Sequence, residues 1–271
     1  MMNMAMARHW PEYLMEAVGL GLFMVSACVT TILLEHPASP VRQAIPDPLV
    51  RRGLIGLAMG VTAIGLIYSP WGKQSGAHLN PSVTLTFWRL GRMPAADAAG
   101  YIGAQCFGGL AGVGLVWAVA MPWLADPSVN YAVTVPGPDG PGTAFLAELL
   151  MSFGLMLVVL TVSNAPRLAR LTGLWAGALV AVYITLEAPL SGMSMNPART
   201  LASAWPAQVW TGLWVYFTAP VLGMLAAAEV FVRVTRVRAL ACPKLHHDNP
   251  FRCIFCGKPG AASRSSMPRA L

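Results

Sequence analysis

One ten-residue pattern occurs twice in the chain: Ser-Gly-x-x-x-Asn-Pro-small-x-Thr, at residues 75–84 and again at residues 191–200. Asn is favoured just before a helix and Pro at its first position, so each copy predicts a helix start. Asn side chains supply N–H donors, and helix N-termini carry partial positive charge. If both copies meet, they favour neutral hydrogen-bonding molecules over cations. The residues that form this predicted site are Asn80, Pro81 and Ser82, with Asn196, Pro197 and Ala198.

Lipid is the predicted solvent for most of this chain. Its 271 residues are 56% hydrophobic and 11% charged, with a mean hydropathy of +0.58, whereas a soluble domain carries about 25% charged residues. An ordinary soluble enzyme, a nucleic-acid-binding domain and a disordered chain are therefore excluded. Six stretches are long enough to cross the hydrocarbon as helices. They lie at about 12–34, 50–70, 95–121, 143–164, 170–190 and 208–232.

The two copies of the pattern follow the second and fifth spans, and each leads into a segment too short to cross, 83–90 and 200–204. With three spans in each half, the copies enter the membrane from opposite sides, as in proteins with a midplane site. The predicted fold is an all-α membrane protein with six transmembrane helices and two re-entrant half-helices in an inverted 3+3 repeat. The predicted domains are a channel domain at 1–234, with halves at about 10–121 and 143–234, and a basic cytoplasmic tail at 235–271.

Loop charges predict the orientation. Basic residues follow spans two, four and six, and such loops favour the cytoplasmic side. We therefore expect a multi-pass protein of the cell or inner membrane with both termini in the cytoplasm. The net charge of +7 equals that of the stretch from residue 233 onward, which has eight Lys/Arg and one Asp, so it does not indicate a nucleic-acid partner. Arg42, Arg51 and Arg52 lie on the opposite side and go against the rule.

The repeated Asn-Pro pattern and the six spans resemble the aquaporin and glycerol-facilitator family of membrane channels, over roughly residues 10–234. The resemblance implies a homotetramer in the lipid bilayer and a passive channel without catalysis or a transport cofactor. It implies conduction of water and small neutral solutes such as glycerol, urea or neutral metalloid hydroxides, with ions and protons excluded. Two glutamates that hold the re-entrant loops in the family match Glu16 and Glu148. His78 matches a family histidine that either lines the inner vestibule or bonds the loop.

By the same resemblance, Arg199 occupies the place of the family's constriction arginine, and counting along the motifs puts Met59, Ile184 and Met193 beside it. This set lacks the histidine of water-selective members and the aromatic side chain of glycerol-conducting members. The sequence therefore leaves the solute undecided. The alternative is a proton-coupled secondary transporter of a small polar solute, because inverted repeats and broken helices also suit that class. Its proton carriers would be Glu16, Glu148 or Glu187, although we expect Glu187 to sit in water at the external mouth.

The tail contains a second group of chemically active residues: Cys242, His246, His247, Cys253 and Cys256. Three Cys with one His, either His246 or His247, are close to the spacing of a structural zinc site. The alternatives are a disordered basic tail or membrane-proximal thiols available for acylation. A further hypothesis makes the tail a metal sensor that gates the pore. Residues 260–271 are predicted to be disordered, because they contain little to bury.

Overall fold

The computed structural model describes residues 2–235 and 242–260, and within these residues the only regular elements are helices. The prediction of disorder at residues 260–271 falls, except for residue 260 itself, outside the residues that the structure describes. The α-helices are α1 (Met2–Glu35), α2 (Pro40–Ala44), α3 (Pro48–Tyr68), α4 (Pro70–Ser75), α5 (Pro81–Arg89), α6 (Ala95–Leu124), α7 (Gly140–Ser163), α8 (Thr172–Ser191), α9 (Pro197–Ala207) and α10 (Leu213–Thr235). Short 3-10 turns lie at Asn130–Ala132 and Ala169–Leu171.

Six of these helices are long and apolar enough to cross a membrane: α1, α3, α6, α7, α8 and α10. The predicted fold class is thereby confirmed. The sixth span begins at Leu213 rather than near residue 208, because Gln208 and Gly212 both adopt left-handed backbone angles that interrupt a helix. Both half-helices begin earlier than the predicted short segments, at Pro81 and Pro197. The reason is local, since Asn80 and Asn196 cap them at those positions.

The helices pack as two similar halves: α1 lies against α6 in the first half, and α7 lies against α10 in the second. Helices in lipid approach closely where small residues face each other. Gly108 on α6 lies directly against the backbone carbonyl of Ala17 on α1, and Gly60 on α3 lies against that of Gly177 on α8. These contacts bring backbone against backbone. The bundle therefore depends on the lack of a side chain at these glycines.

Gly108→Ala is expected to destabilise the protein, because the added methyl group would overlap the Ala17 carbonyl. Overpacking of this kind costs about 1–3 kcal/mol of unfolding free energy. Thermal unfolding in detergent measures the loss. Gly114→Ala is the matched control on the same helix, since a methyl group there meets nothing within 4 Å. Equal melting temperatures for the two variants would contradict this account of the α1–α6 contact.

Two of the arginines that go against the loop-charge rule are held by specific contacts. They lie at the end of the bundle opposite residues 242–260; we call the end that carries those residues the tail side. Arg51 pairs with Glu35 at 3.2 Å and donates to the carbonyls of Ile45 and Pro46. Arg52 donates to the Thr185 carbonyl at 2.7 Å. Their presence on that side is therefore explained by the packing of the loops.

Candidate pore

The two Asn-Pro copies meet inside the bundle, where α5 and α9 are in contact at their N-termini. The Asn80 Nδ2 donates to the Met195 carbonyl at 2.7 Å, and the Asn196 Nδ2 donates to the Leu79 carbonyl at the same distance. Each Asn Oδ1 accepts from the backbone of its own half-helix, at Ser82 or Ala198. Because an amide carries two N–H donors, each asparagine keeps one donor without a partner in the described part of the chain.

The loops before the asparagines have the same unusual backbone in both halves. Ala77 and Leu79 have φ of 54° and 48°, and Met193 and Met195 have φ of 50° and 53°. Left-handed angles cost non-glycine residues roughly 1–2 kcal/mol each. Such a backbone persists only where its surroundings impose it. The loops must therefore be held from outside.

Two buried glutamates hold these loops. Glu16 accepts from the backbone N–H groups of His78 and Leu79 at 3.1 and 2.6 Å and from the Ser75 hydroxyl at 2.7 Å. Glu148 binds the second loop in the same way, through the Ser194 and Met195 N–H groups at 2.7 and 2.6 Å and the Ser191 hydroxyl at 2.7 Å. Neither carboxylate lines the cavity described below. This arrangement suits support of the loops rather than proton relay.

Three further supports were not anticipated from the sequence. Tyr101 donates its hydroxyl proton to the Ser75 carbonyl at 2.7 Å, and Tyr216 donates to the Ser191 carbonyl at 2.6 Å. Gln105 donates to Glu16 at 2.8 Å. The tyrosines stand 26 and 25 residues beyond the serines that they bind. Extending the internal repeat past the Asn-Pro motif, with a shift of one residue, aligns that pair.

A cavity of about 440 Å³ passes the two asparagines and runs between both sides of the bundle. Its opposite end is lined by Glu35, Arg51 and Arg52, and its tail-side end by Ala77 and Leu245. The residues of the predicted path that line it are Asn80, Asn196, Met59, Ile184, Met193, Arg199 and His78. The motif residues Pro81, Ser82, Pro197 and Ala198 lie behind it as buried parts of the half-helices.

The charges along the cavity are mainly positive. Arg51, Arg52 and Arg199 line it, whereas its one carboxylate among the described residues, Glu35, is paired with Arg51. The N-termini of α5 and α9 add partial positive charge at the centre. The loop beyond the opposite end of the cavity carries a further acidic residue, Asp126. Hydrogen bonds from the Ser128 hydroxyl and amide lower the pKa of its carboxyl group. A cation in the cavity meets repulsion without a free carboxylate to offset it.

Two sequence expectations need revision. Glu187 is 8% exposed and does not line the cavity, so the expectation that it sits in water at the external mouth is wrong. The helix turns it away from the cavity side, which Ile184 and Ala188 occupy. His78 combines its two predicted roles: it lines the cavity, and its Nδ1 lies 3.1 Å from the Thr84 hydroxyl. Its Nε2 also lies 2.9 Å from the Pro243 carbonyl of the tail.

The tail brings four of its five predicted ligands together. The ligand atoms of Cys242, His247, Cys253 and Cys256 all lie within 4.8 Å of one another. His246 is not among them, because its ring packs edge-on against Tyr68. The three cysteines are free thiols. Of the two histidines that the spacing left open, the structure favours His247.

Comparison with known proteins agrees with this architecture. The family model described as major intrinsic protein matches residues 3–231. Aquaporin NIP6-1 of Arabidopsis thaliana is 37% identical over 193 residues, which cover 70% of this chain but 61% of that protein. Aquaporin NIP2-3 of Zea mays is 34% identical over 239 residues, which cover 86% and 77%.

The fold is also found among solved structures. The aquaglyceroporin of Plasmodium falciparum superposes with a TM-score of 0.72 at 20% identity, covering 84% of this chain and 97% of that one. The family model spans most of the chain. Membership favours passive conduction over proton-coupled transport. The chain therefore belongs to the major intrinsic protein family, and it is a passive membrane channel rather than an enzyme.

Proposed function

We propose that the pore conducts water together with small uncharged polar solutes such as glycerol, urea and neutral metalloid hydroxides. The observation that carries this proposal is the pair of asparagines, Asn80 and Asn196. They line one cavity, and each keeps an N–H donor that no described residue accepts. A neutral hydroxyl-bearing molecule accepts from these donors and donates to loop carbonyls. A cation would lose its hydration beside positive helix ends and three arginines, which opposes its passage.

Selectivity is assigned to the ring of Met59, Ile184, Met193 and Arg199. Three apolar walls and one guanidinium suit a solute with a carbon face and a hydroxyl or amide edge. Methionine side chains adapt their shape to what they contact. A ring without an imidazole is also less polar than a filter restricted to water. This supports solutes larger than water.

The proposal includes the orientation and the assembly. Basic residues gather in the tail-side loops and indicate that this side, with both termini, faces the cytoplasm; they are Lys73, Arg89, Arg92, Arg167 and Arg170. We place the protein in the cell or inner membrane as a homotetramer, on the basis of family membership. Residues 1–234 would form the channel domain and residues 235–271 a separate cytoplasmic tail.

Stopped-flow measurements on proteoliposomes test the function, with water, glycerol, urea and a neutral metalloid hydroxide measured in parallel. We expect chelator-treated protein to give non-saturating flux above that of empty liposomes, and the same flux with and without an imposed pH gradient. Saturable uptake that follows the proton gradient would instead identify a coupled transporter. Flux of water alone would restrict the proposal to a water channel.

Ile184→His is expected to lower glycerol and urea flux relative to water flux, because an imidazole narrows the ring and makes it more polar. A single pocket substitution of this size discriminates by roughly 10-fold. The ratio of solute to water permeability measures the effect. Ile184→Leu is the matched control, since it keeps the apolar character and the volume. An unchanged ratio in the His variant would remove Ile184 from the ring.

A further inference from the structure

The tail crosses the tail-side mouth of the pore. The Leu245 N–H donates to the Gly76 carbonyl at 3.1 Å, and the Pro243 carbonyl lies 2.9 Å from the His78 Nε2. Gly76 and His78 belong to the first re-entrant loop, so the tail is bonded to the loop that leads to Asn80. These two hydrogen bonds join the tail to the loop.

Leu245 projects into the pore itself. Its side chain is 6% exposed, packs in the core cluster that includes Ala77 and Met195, and lines the 440 Å³ cavity. Ala77 lies two residues beyond Ser75, where the loop turns inward, so the leucine occupies the tail-side end of the path. An apolar side chain at this place offers passing water no hydrogen bond. Its bulk also takes up space at the tail-side end of the path.

Polar contacts tie the rest of the segment to the bundle. Arg252 bonds both oxygens of Glu12 at 2.8 and 2.7 Å, and Glu12 is fully buried. Lys244 donates to the Lys73 carbonyl at 3.1 Å, and Asn249 donates to the same carbonyl at 3.1 Å. These partners lie on α1 and α4, on two sides of the first re-entrant loop. The segment is therefore docked as a cap.

The cap has little of its own to hold it folded. Residues 242–260 contain no helix or strand, and segments this short usually need a metal or disulfides to keep a fixed shape. A metal bound by the four clustered ligands would hold the segment in a fixed shape. The Cys242 and Cys253 sulfurs lie 3.4 Å apart, and the His247 Nε2 lies 3.2 Å from the Cys256 sulfur. Tetrahedral zinc holds its ligand atoms roughly 3.3–3.8 Å apart.

We propose that Cys242, His247, Cys253 and Cys256 bind one Zn²⁺ or a similar soft divalent cation, and that this metal seats Leu245 in the pore and closes it. The inference rests on the proposed channel function. The ion is bound by three thiolates and a neutral imidazole, and each thiol gives its proton to solvent, so nothing is oxidised or reduced. Cys242 and Cys253 are buried within the cap, which argues against acylation of these thiols. Loss of the metal frees the cap and opens the mouth.

Metal content is the first test. Full-length protein purified under reducing conditions and dialysed against zinc is expected to hold about one zinc per chain by mass spectrometry of the metal. Replacing two ligands together, Cys253→Ser with Cys256→Ser, should abolish binding. Cys106→Ser is the matched control, because this cysteine lies on α6 outside the cluster. Zinc-free native protein, a disulfide among the three tail cysteines, or zinc retained in the double variant would overturn the site.

Hydrogen exchange tests the seating of the cap without relying on flux. Metal-free protein is expected to exchange the amides of residues 244–249 and 251–252 faster than zinc-loaded protein, including the Leu245 amide that bonds Gly76. The half-helix amides of α5 serve as the internal reference. Equal exchange with and without zinc would overturn the link between metal and cap, whatever the transport result.

Flux tests the closure. Removal of zinc, or Leu245→Ala in zinc-loaded protein, is expected to raise water flux about tenfold, the shift expected when one buried leucine holds the closed state. Leu245→Ala should keep its zinc, and Leu168→Ala is the control for an exposed tail-side leucine. If all forms show equal flux above that of empty liposomes, closure by Leu245 is overturned, and the metal site is not. If no form conducts, the proposed function fails, and faster exchange without zinc would still support the metal-seated cap.

Discussion

Replacing Arg199 with alanine is expected to admit cations to the pore, because it removes a fixed positive charge from the selecting ring. At an effective dielectric constant of about 20, two unit charges about 5 Å apart repel by about 3 kcal/mol, on the order of a hundredfold in rate. Larger neutral solutes should also pass faster, since the side chain itself narrows the path. Proton and sodium fluxes into dye-loaded proteoliposomes measure the first effect, and glycerol flux measures the second.

Two controls separate the charge from the bulk of Arg199. Arg199→Lys keeps a cation in the ring and is expected to exclude ions nearly as well as the native protein. Arg89→Ala removes an arginine from α5 that is paired with Glu229 away from the cavity, and should leave selectivity unchanged. Each variant is measured with and without zinc, so that the cap does not mask the ring. If Arg199→Ala excludes ions as well as the native channel, the guanidinium is not the barrier.

Replacing Glu148 with alanine is expected to disrupt the second re-entrant loop and abolish conduction. Three donors then lose their acceptor in a buried place: the Ser191 hydroxyl and the N–H groups of Ser194 and Met195. Each unsatisfied buried donor costs about 1–3 kcal/mol, or about 5 kcal/mol for the set. The left-handed backbone at Met193 and Met195 then loses the carboxylate that binds the loop N–H groups. Detergent melting curves and water flux per reconstituted chain report the two losses.

The control for this variant is Glu229→Ala, since Glu229 is partly exposed and bonds Arg89 at the surface. It should retain both its melting temperature and its flux. Glu148→Gln keeps one oxygen acceptor and is expected to fall between the native protein and the alanine variant. Native stability and flux in Glu148→Ala would show that the loop holds its shape without the carboxylate.

The order of the elements could be predicted from the sequence because it depends on local properties. The length of an apolar stretch decides whether it spans, and an Asn-Pro pair decides where a half-helix begins, as at Asn80 and Asn196. Family resemblance was needed for Glu16 and Glu148, since a lone acidic residue in an apolar run does not reveal what it bonds. The loop contacts of Tyr101 and Tyr216 could not be predicted, because a tyrosine in a span has no local pattern that shows what it bonds.

The docking of the tail could not be predicted, because it depends on contacts between residues far apart in the chain. Cysteine spacing indicated a cluster of ligands, and it left the histidine undecided. No local pattern shows that Pro243 faces His78, 165 residues away, or that Leu245 enters the cavity. The expectation for Glu187 failed for a related reason. Its depth was judged from its distance to the motif, whereas the rotation of α8 decides which way it faces.

The crossed amide bonds at the midplane have a mechanical consequence. Each asparagine donates to the carbonyl of the residue just before the other asparagine. Neither half-helix can therefore move away without breaking both of these hydrogen bonds. The contact between the two half-helices at the midplane is therefore rigid, and it is unsuited to opening and closing the channel. Conductance is therefore controlled at the mouths of the pore. There a chain segment can move into or out of the path without breaking the midplane hydrogen bonds.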